Sequence, residues 1–202
     1  MTEGHDRPLR VALVHHAFGS GAEPDPLVRD LAGALRAAGH HPTVVTKHRV
    51  GSSGVTEGRV PVVRCRGLPE APLLRRGFAV PLTHLPTTVA ALVKGGYDLA
   101  QAFSPTDAAA AIAWREIVGR PVIFAPAEPP RRDRVADRRL RLRLLERAVG
   151  DSDAAIAPTE ECRAGLLRWL AVEAPLLEPA DADAHERLYR ALLRRAAARG
   201  QR

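Results

Sequence analysis

The sequence predicts one α/β domain: a doubly wound, mostly parallel sheet with helices on both faces and a C-terminal helix. Three observations carry this. Strand-like and helix-like segments alternate along the chain. The strand-like runs are largely apolar, as in Val11-Ala-Leu-Val14 after Arg10, which is what a parallel strand covered on both faces requires. The 202 residues suffice for one core of this kind and not for two.

The first unit is the clearest. After the strand ending at Val14, a loop runs from His15 to Pro24. A helix then opens with Asp25 as its cap and Pro26 at its first position, where no N–H is needed. Leu27, Leu31, Leu35 and Ala38 follow at helical spacing, and Gly39 stops the helix. A second strand, Pro42 to Thr46, follows at once, and a turn-rich loop spans Lys47 to Gly54. Arg59 to Arg64 reads as a third strand, and Pro61 places it near an edge. Gly67 to Arg76 is a connection, Thr83 to Lys94 a helix with Pro86 near its start, and Tyr97 to Phe103 a fourth strand. Ser104-Pro105 opens the helix Thr106 to Val118, which Gly119 ends. Pro121 to Ala125 is a fifth strand and Pro126 to Pro130 a stiff loop. An Arg-rich helix runs from Arg134 to Val149, with Leu140 and Leu144 keeping one side apolar. Asp153 to Ala157 is a sixth strand, and Thr159 caps the helix Glu160 to Leu170. Pro175 and Pro179 mark a linker, and Asp181 or Asp183 caps a last helix to about Arg199. The divisions that follow are a disordered 1–8, a domain over 9–172, a linker over 173–181, and a helix and tail over 182–202.

Composition narrows the function classes. The chain is 46% hydrophobic and 26% charged, a globular balance. No run approaches 18 apolar residues, and residues 1–6 show no export signal. Cys65 and Cys162 stand far apart and outside any CxxC, which fits packed thiols in a reduced cytoplasm. The net charge of +7 is carried mainly by arginine. Aromatics are only 4% and do not interleave with the basic runs, which argues against a specific nucleic-acid platform. A G-x-S-x-G elbow is lacking, which excludes a Ser/His/Asp hydrolase of that type.

Four stretches, taken in order, resemble the N-terminal, acceptor-binding domain of family-4 retaining glycosyltransferases of the GT-B fold. They are Val11-Ala-Leu-Val14 with its glycine loop; Leu31 to His40 followed by Thr43-Val-Val-Thr46; Tyr97-Asp-Leu-Ala-Gln-Ala-Phe-Ser-Pro105; and Ser152-Asp-Ala-Ala-Ile-Ala-Pro-Thr-Glu160. The last helix, with His185 to Arg190, is similar to the family's closing helix, which crosses back onto the first domain. The resemblance implies a Rossmann-like domain that binds an acceptor sugar or lipid-linked acceptor. The family's donor domain has no counterpart: Glu178 and Glu186 have E-x7-E spacing, but Pro179 and the surroundings make this coincidence. The family's histidine after the fifth strand falls at Ala127, and its strand-four histidines fall at Gln101 and Phe103.

Ligand candidates lie at the carboxyl ends of the strands, where doubly wound sheets bind their ligands. Gly19, Ser20 and Gly21 let a backbone approach a sugar or phosphate closely, although Glu23 nearby disfavours an anion. His16 ends the first strand, paired with His15; one ring is expected to pack and the other to face the cleft. No third ligand has metal-site spacing to the doublet, and no metal or cofactor is expected. Ser104 and Thr106 stand at the mouth of strand four, where helix capping is the simpler role. Glu128, at the mouth of strand five, is a weak catalytic candidate: it could accept a proton, or simply pair with a nearby arginine. Arg131, Arg132, Arg134, Arg138 and Arg141 belong to a basic amphipathic stretch suited to anions or a membrane surface. Trp114 and Trp169 fit core or rim positions rather than sugar platforms.

The function expected is an acceptor-binding domain that joins in hexosyl transfer from a nucleotide sugar only with a partner polypeptide supplying the donor domain, and is inactive alone. Its place would be the cytoplasm, with peripheral contact at the inner face of the membrane. One alternative is a non-catalytic relic that binds a glycan, lipid or protein. Another is an NADP-type module, against which Pro24 stands where G-x-G-x-x-G needs its third glycine.

Overall fold

The computed structural model describes residues 7–18, 24–47, 60–66, 82–130 and 139–200, with backbone alone at 24 and 25. Gly19, Ser20, Gly21, Arg131, Arg132, Arg134 and Arg138 lie outside the described residues, as do residues 1–6 and most of the loops expected at 47–54 and 67–76.

The described strands are β1 (Arg10–Val14), β2 (His41–Lys47), β3 (Val62–Cys65), β4 (Leu99–Ala102), β5 (Val122–Phe124) and β6 (Ala154–Ala155). They form one sheet in the order β3-β2-β1-β4-β5-β6, and every neighbouring pair is parallel. The helices are α1 (Pro24–Ala37), α2 (Leu85–Gly95), α3 (Pro105–Val118), α4 (Arg139–Gly150), α5 (Glu160–Leu170) and α6 (Ala182–Gly200). This is the doubly wound α/β fold expected, with its closing helix. The order reverses direction between β1 and β4, and the carboxyl ends of those two strands are where doubly wound sheets receive ligands.

Alternation of side chains along the strands feeds two cores. On one face, Leu9, Val11, Leu13, Val44, Leu99 and Ile123 pack with Val28, Leu31 and Leu35 of α1 and with Tyr189 and Leu192 of α6. On the other, Ala12, Val14, Ala100, Ala102, Val122 and Phe124 pack with Leu92 of α2, Ala108, Ala111 and Trp114 of α3, and Leu145 and Ala148 of α4. The alanines of β4 and α3 let helix and sheet approach closely. Trp114 is therefore core, and Cys65 and Cys162 are buried free thiols. Thr159 caps α5 by accepting from the Cys162 amide at 3.2 Å, and Asp181 accepts from Ala184 N at 2.9 Å at the start of α6. Gly119 ends α3 with φ of 70° and donates its amide to Arg115 O.

Several boundaries differ from expectation. Helix α1 starts at Pro24, two residues before Pro26; both prolines sit in the first turn, where amides lack intrahelical partners anyway. Strand β3 starts after Pro61, whose carbonyl still accepts from Val44 N. The inward face of α4 is Leu145 and Ala148, with Leu140 37% exposed, so the helix is rotated from the Leu140–Leu144 face anticipated. Glu186 belongs to α6, where it accepts from Arg190 Nε at 2.6 Å and stands 3.3 Å from His40 Nε2. That is a structural pairing on the helix.

Candidate functional site

At the carboxyl ends of β1 and β4 the two neighbouring strands deliver residues side by side. His15 donates its amide to Val45 O, and Phe103 donates its amide to Val14 O, so both chains leave the sheet in fixed directions. After β4 the chain turns at once into α3. Ser104 is the N-cap, with extended backbone, and its hydroxyl oxygen accepts from Asp107 N at 3.1 Å. The same hydroxyl donates to Asp107 Oδ2 at 2.6 Å. This reciprocal cap turns the Asp107 carboxylate inward, where its side chain is fully buried.

Three histidines surround that carboxylate. His16 approaches Oδ2 with its amide at 3.3 Å and with Nδ1 at 3.0 Å. His84, in the turn before α2, reaches Oδ1 with Nε2 at 3.3 Å. His15 Nδ1 stands 3.9 Å from Oδ2. The rings of His16 and His84 stack at 5.4 Å, and His15 meets Phe103 edge-on at 6.2 Å. Burial by itself would raise the Asp107 pKa. The electrostatic interaction with His16 and the close approach of the His15, His16 and His84 rings outweigh it and hold the carboxyl well below its ordinary range. Asp107 is thus an ionised, buried carboxylate. An ionised carboxylate only accepts hydrogen bonds, so His16 Nδ1 and His84 Nε2 carry the protons they present to it.

Of the residues anticipated from sequence, His16, Ser104 and Thr106 come together here. Ser104 caps α3 and joins the cluster, and Thr106 Oγ1 lies 2.9 Å from Ser104 Oγ. His15 is buried and His16 partly exposed. Glu128 is exposed on the loop after β5. Arg141 lies on α4, at the end of the basic stretch. Ala127, where the resemblance led us to look for histidine, donates its amide to Phe103 O at 3.0 Å and packs on the core. Gln101 is buried and accepts from the Tyr189 hydroxyl of α6 at 2.6 Å. Sequence reasoning missed Asp107 and His84 as site residues. A signal for Asp107 was present: Ser104-Pro-Thr-Asp107 has the spacing of a capping box at the mouth of a strand.

His15, His16 and Asp107 offer one donor atom each, all within 4.8 Å of one another, a set that could hold a small divalent cation. In the structure the Asp107 oxygens are taken up by histidine and serine protons instead.

A family model described as the glycosyl transferase 4-like domain matches residues 24–180. The chain belongs to that family. Solved structures agree on the fold. A sucrose-phosphate synthase form from Thermosynechococcus elongatus, designated 27_220_406_426, is 21% identical with a TM-score of 0.63, over 91% of this chain and 98% of that one. The sucrose-phosphate synthase chain from the same organism is 18% identical with a TM-score of 0.62, over 85% of this chain and 47% of that one. Anabaena HepE in complex with UDP and glucose is 14% identical with a TM-score of 0.61, over 84% of this chain and 44% of that one. The glycosyl transferase 4-like chain described here thus spans about half the length of those two proteins. No curated protein sequence matches it. Among the described residues, no helix is long and apolar enough to cross a membrane.

Proposed function

We propose that this domain binds the acceptor in hexosyl transfer from a nucleotide sugar, and that a second polypeptide supplies the donor domain. The supporting observation is the polar cluster of His16, His84 and Ser104 around the buried Asp107 at the strand-order reversal, where doubly wound sheets receive ligands. The family membership supports the reaction class. HepE, described with UDP and glucose, supports a nucleoside-diphosphate sugar as donor. Gly19, Ser20 and Gly21 complete the acceptor side in this reading, with Thr106 and Glu128 at the neighbouring strand mouths. Arg131, Arg132, Arg134, Arg138 and Arg141 make peripheral contact with the inner face of the membrane and hold the domain beside a lipid-linked acceptor. No metal or cofactor takes part.

A pull-down of the tagged chain from its own cells, with mass spectrometry of the captured proteins, tests the partner. A stoichiometric donor-half polypeptide is expected; recovery of the chain alone and monodisperse refutes it. The purified chain alone is expected to release no nucleoside diphosphate from a nucleotide sugar.

A second reading rests on Ala127. With a methyl group where the resembled enzymes have an imidazole, the domain is a non-catalytic binder of glycan, lipid or protein. Nucleotide-sugar turnover by the assembled complex decides against it.

A further inference from the structure

We propose that His15, His16 and Asp107 form a site for one divalent transition-metal ion of the zinc class. The site goes beyond the transferase reading and does not depend on it. The ion is a ligand of the fold and adds no step to the transfer proposed above. Along the chain, no third ligand has metal-site spacing to the histidine doublet. The strand order supplies one. With β4 beside β1, Asp107 in the first turn of α3 comes to stand against His16, 91 positions away.

The distances suit a single small ion. One donor atom from each of the three residues lies within 4.8 Å of the other two. In a tetrahedral site with bonds of about 2.0–2.1 Å, neighbouring ligand atoms stand about 3.4 Å apart. His16 Nδ1 is 3.0 Å from Asp107 Oδ2, and His15 Nδ1 is 3.9 Å from the same oxygen. One edge has to open and the other to close by about 0.4–0.5 Å. Two imidazoles and one carboxylate suit Zn²⁺, or Co²⁺ in the same geometry, whereas Mg²⁺ and Ca²⁺ want shells of oxygen. Three protein ligands leave a fourth position for water. The side chains of His15 and Asp107 are 4% and 0% exposed, and that of His16 is 23% exposed at the end of β1, so an ion enters past His16.

The surroundings hold these ligands in place, as an outer shell does in a metal site. Ser104 Oγ donates to Asp107 Oδ2 at 2.6 Å, and His84 Nε2 stands 3.3 Å from Oδ1. The His15 ring meets Phe103 edge-on, and the His16 ring stacks on His84. Helix capping accounts for the Ser104–Asp107 pair alone. It does not require imidazoles from the loop after β1 and from the turn before α2 to converge on one fully buried carboxylate. The ion takes the place of the proton that His16 Nδ1 presents to Asp107. That proton leaves to water, the neutral ring holds one on Nε2 instead, and the carboxylate keeps its charge.

The full chain, untagged and stripped of metal with EDTA, is titrated with Zn²⁺ by calorimetry and with Co²⁺ by visible absorption. One ion per chain is expected, with a Zn²⁺ Kd below about 10 μM and the Co²⁺ bands of a four-coordinate ion. Weaker binding by the wild-type chain overturns the site. His16→Gln is expected to weaken binding by about 100-fold, and His41→Gln, at the exposed amino end of β2, to leave it within about threefold. Binding kept within about threefold by His16→Gln, or lost equally in His41→Gln, overturns the site as well. X-ray absorption at the zinc edge of the loaded wild-type chain requires no variant to fold. It is expected to show imidazole nitrogen and carboxylate oxygen at about 2.0–2.2 Å. Sulfur at about 2.3 Å, from the free thiols of Cys65 or Cys162, places the ion elsewhere and overturns the proposal. None of these readouts uses sugar transfer, so failure here leaves the transferase reading standing, and failure of that reading leaves the metal site standing.

Discussion

The two ends of the sheet each bury aspartates, but partner them differently. At the amino ends, Asp98 precedes β4 and accepts from Arg10 N at 2.9 Å and from Arg7 Nη2 at 2.5 Å. Asp153 precedes β6 and accepts from Val122 N at 2.9 Å and from Arg199 Nη2 at 2.6 Å. Each aspartate pairs with the first backbone amide of the adjoining strand and with an arginine from a distant stretch of chain. At the carboxyl ends, Asp107 has imidazoles in place of guanidiniums. Arginine is charged at every working pH and gives up no proton. Imidazole exchanges protons near neutrality. One end fastens its aspartates with guanidiniums, the other with imidazoles.

Breaking the carboxyl end should have the largest effect. Asp107→Ala removes the acceptor for Ser104, His16 and His84 together and is expected to cost about 3–5 kcal/mol in urea unfolding, as loss of a buried charge partner does. Asp153→Ala leaves Val122 N without its side-chain acceptor and should cost about 1–3 kcal/mol. Equal losses at both sites would erase the contrast.

Acid sharpens it further, once a third site is accounted for. Burial on α6 depresses the His185 pKa to about 4, against partial opposition from the Glu178 carbonyl and Asp181. The unfolded chain therefore binds a proton at His185 before the folded one does. Stability from this group is complete above about pH 6.5 and is lost as pH falls toward 4, to a total of about 3 kcal/mol. Asp107, with its lowered pKa, keeps its contribution above the unfolded carboxylate value of about 3.9 and loses it as pH falls from there toward the folded value. Urea midpoints at closely spaced pH values should thus fall in two stages, and His185→Asn should abolish the first.

Smaller effects close the series. Tyr189→Phe leaves Gln101 Oε1 without its hydroxyl donor and should cost about 1–2 kcal/mol. Arg199→Ala breaks an ion pair whose guanidinium side is 63% exposed, and should cost under about 1 kcal/mol. A larger loss there would mean that the amino-end fastening holds more than its exposure suggests.

The fold was legible because its signals are local. Apolar runs of strand length, Gly39 and Gly119 as stops, and Ser104 and Thr159 as caps each act within a few residues. Boundaries slipped where proline had two acceptable places, as at Pro24 and Pro26. The candidate site was half legible. Strand mouths can be named once strands are known, which brought in His16, Ser104 and Thr106. Asp107 and His84 were not visible as a pair because the contacts joining His16 to Asp107 span 91 positions and those joining His84 to Asp107 span 23. Only the strand order, with β4 beside β1, brings them together.

Helix α6 seals one face of the sheet, with Tyr189 and Leu192 against Leu9, Val11 and Ile123. It is also the last of the described elements to leave the ribosome. During synthesis, the part of that face beside α1 waits uncovered while strands β1 to β6 already have their partners. Any expression boundary drawn at residue 180, where the family match ends, would make this waiting permanent, leaving an apolar surface open to chaperones or to other copies of the chain.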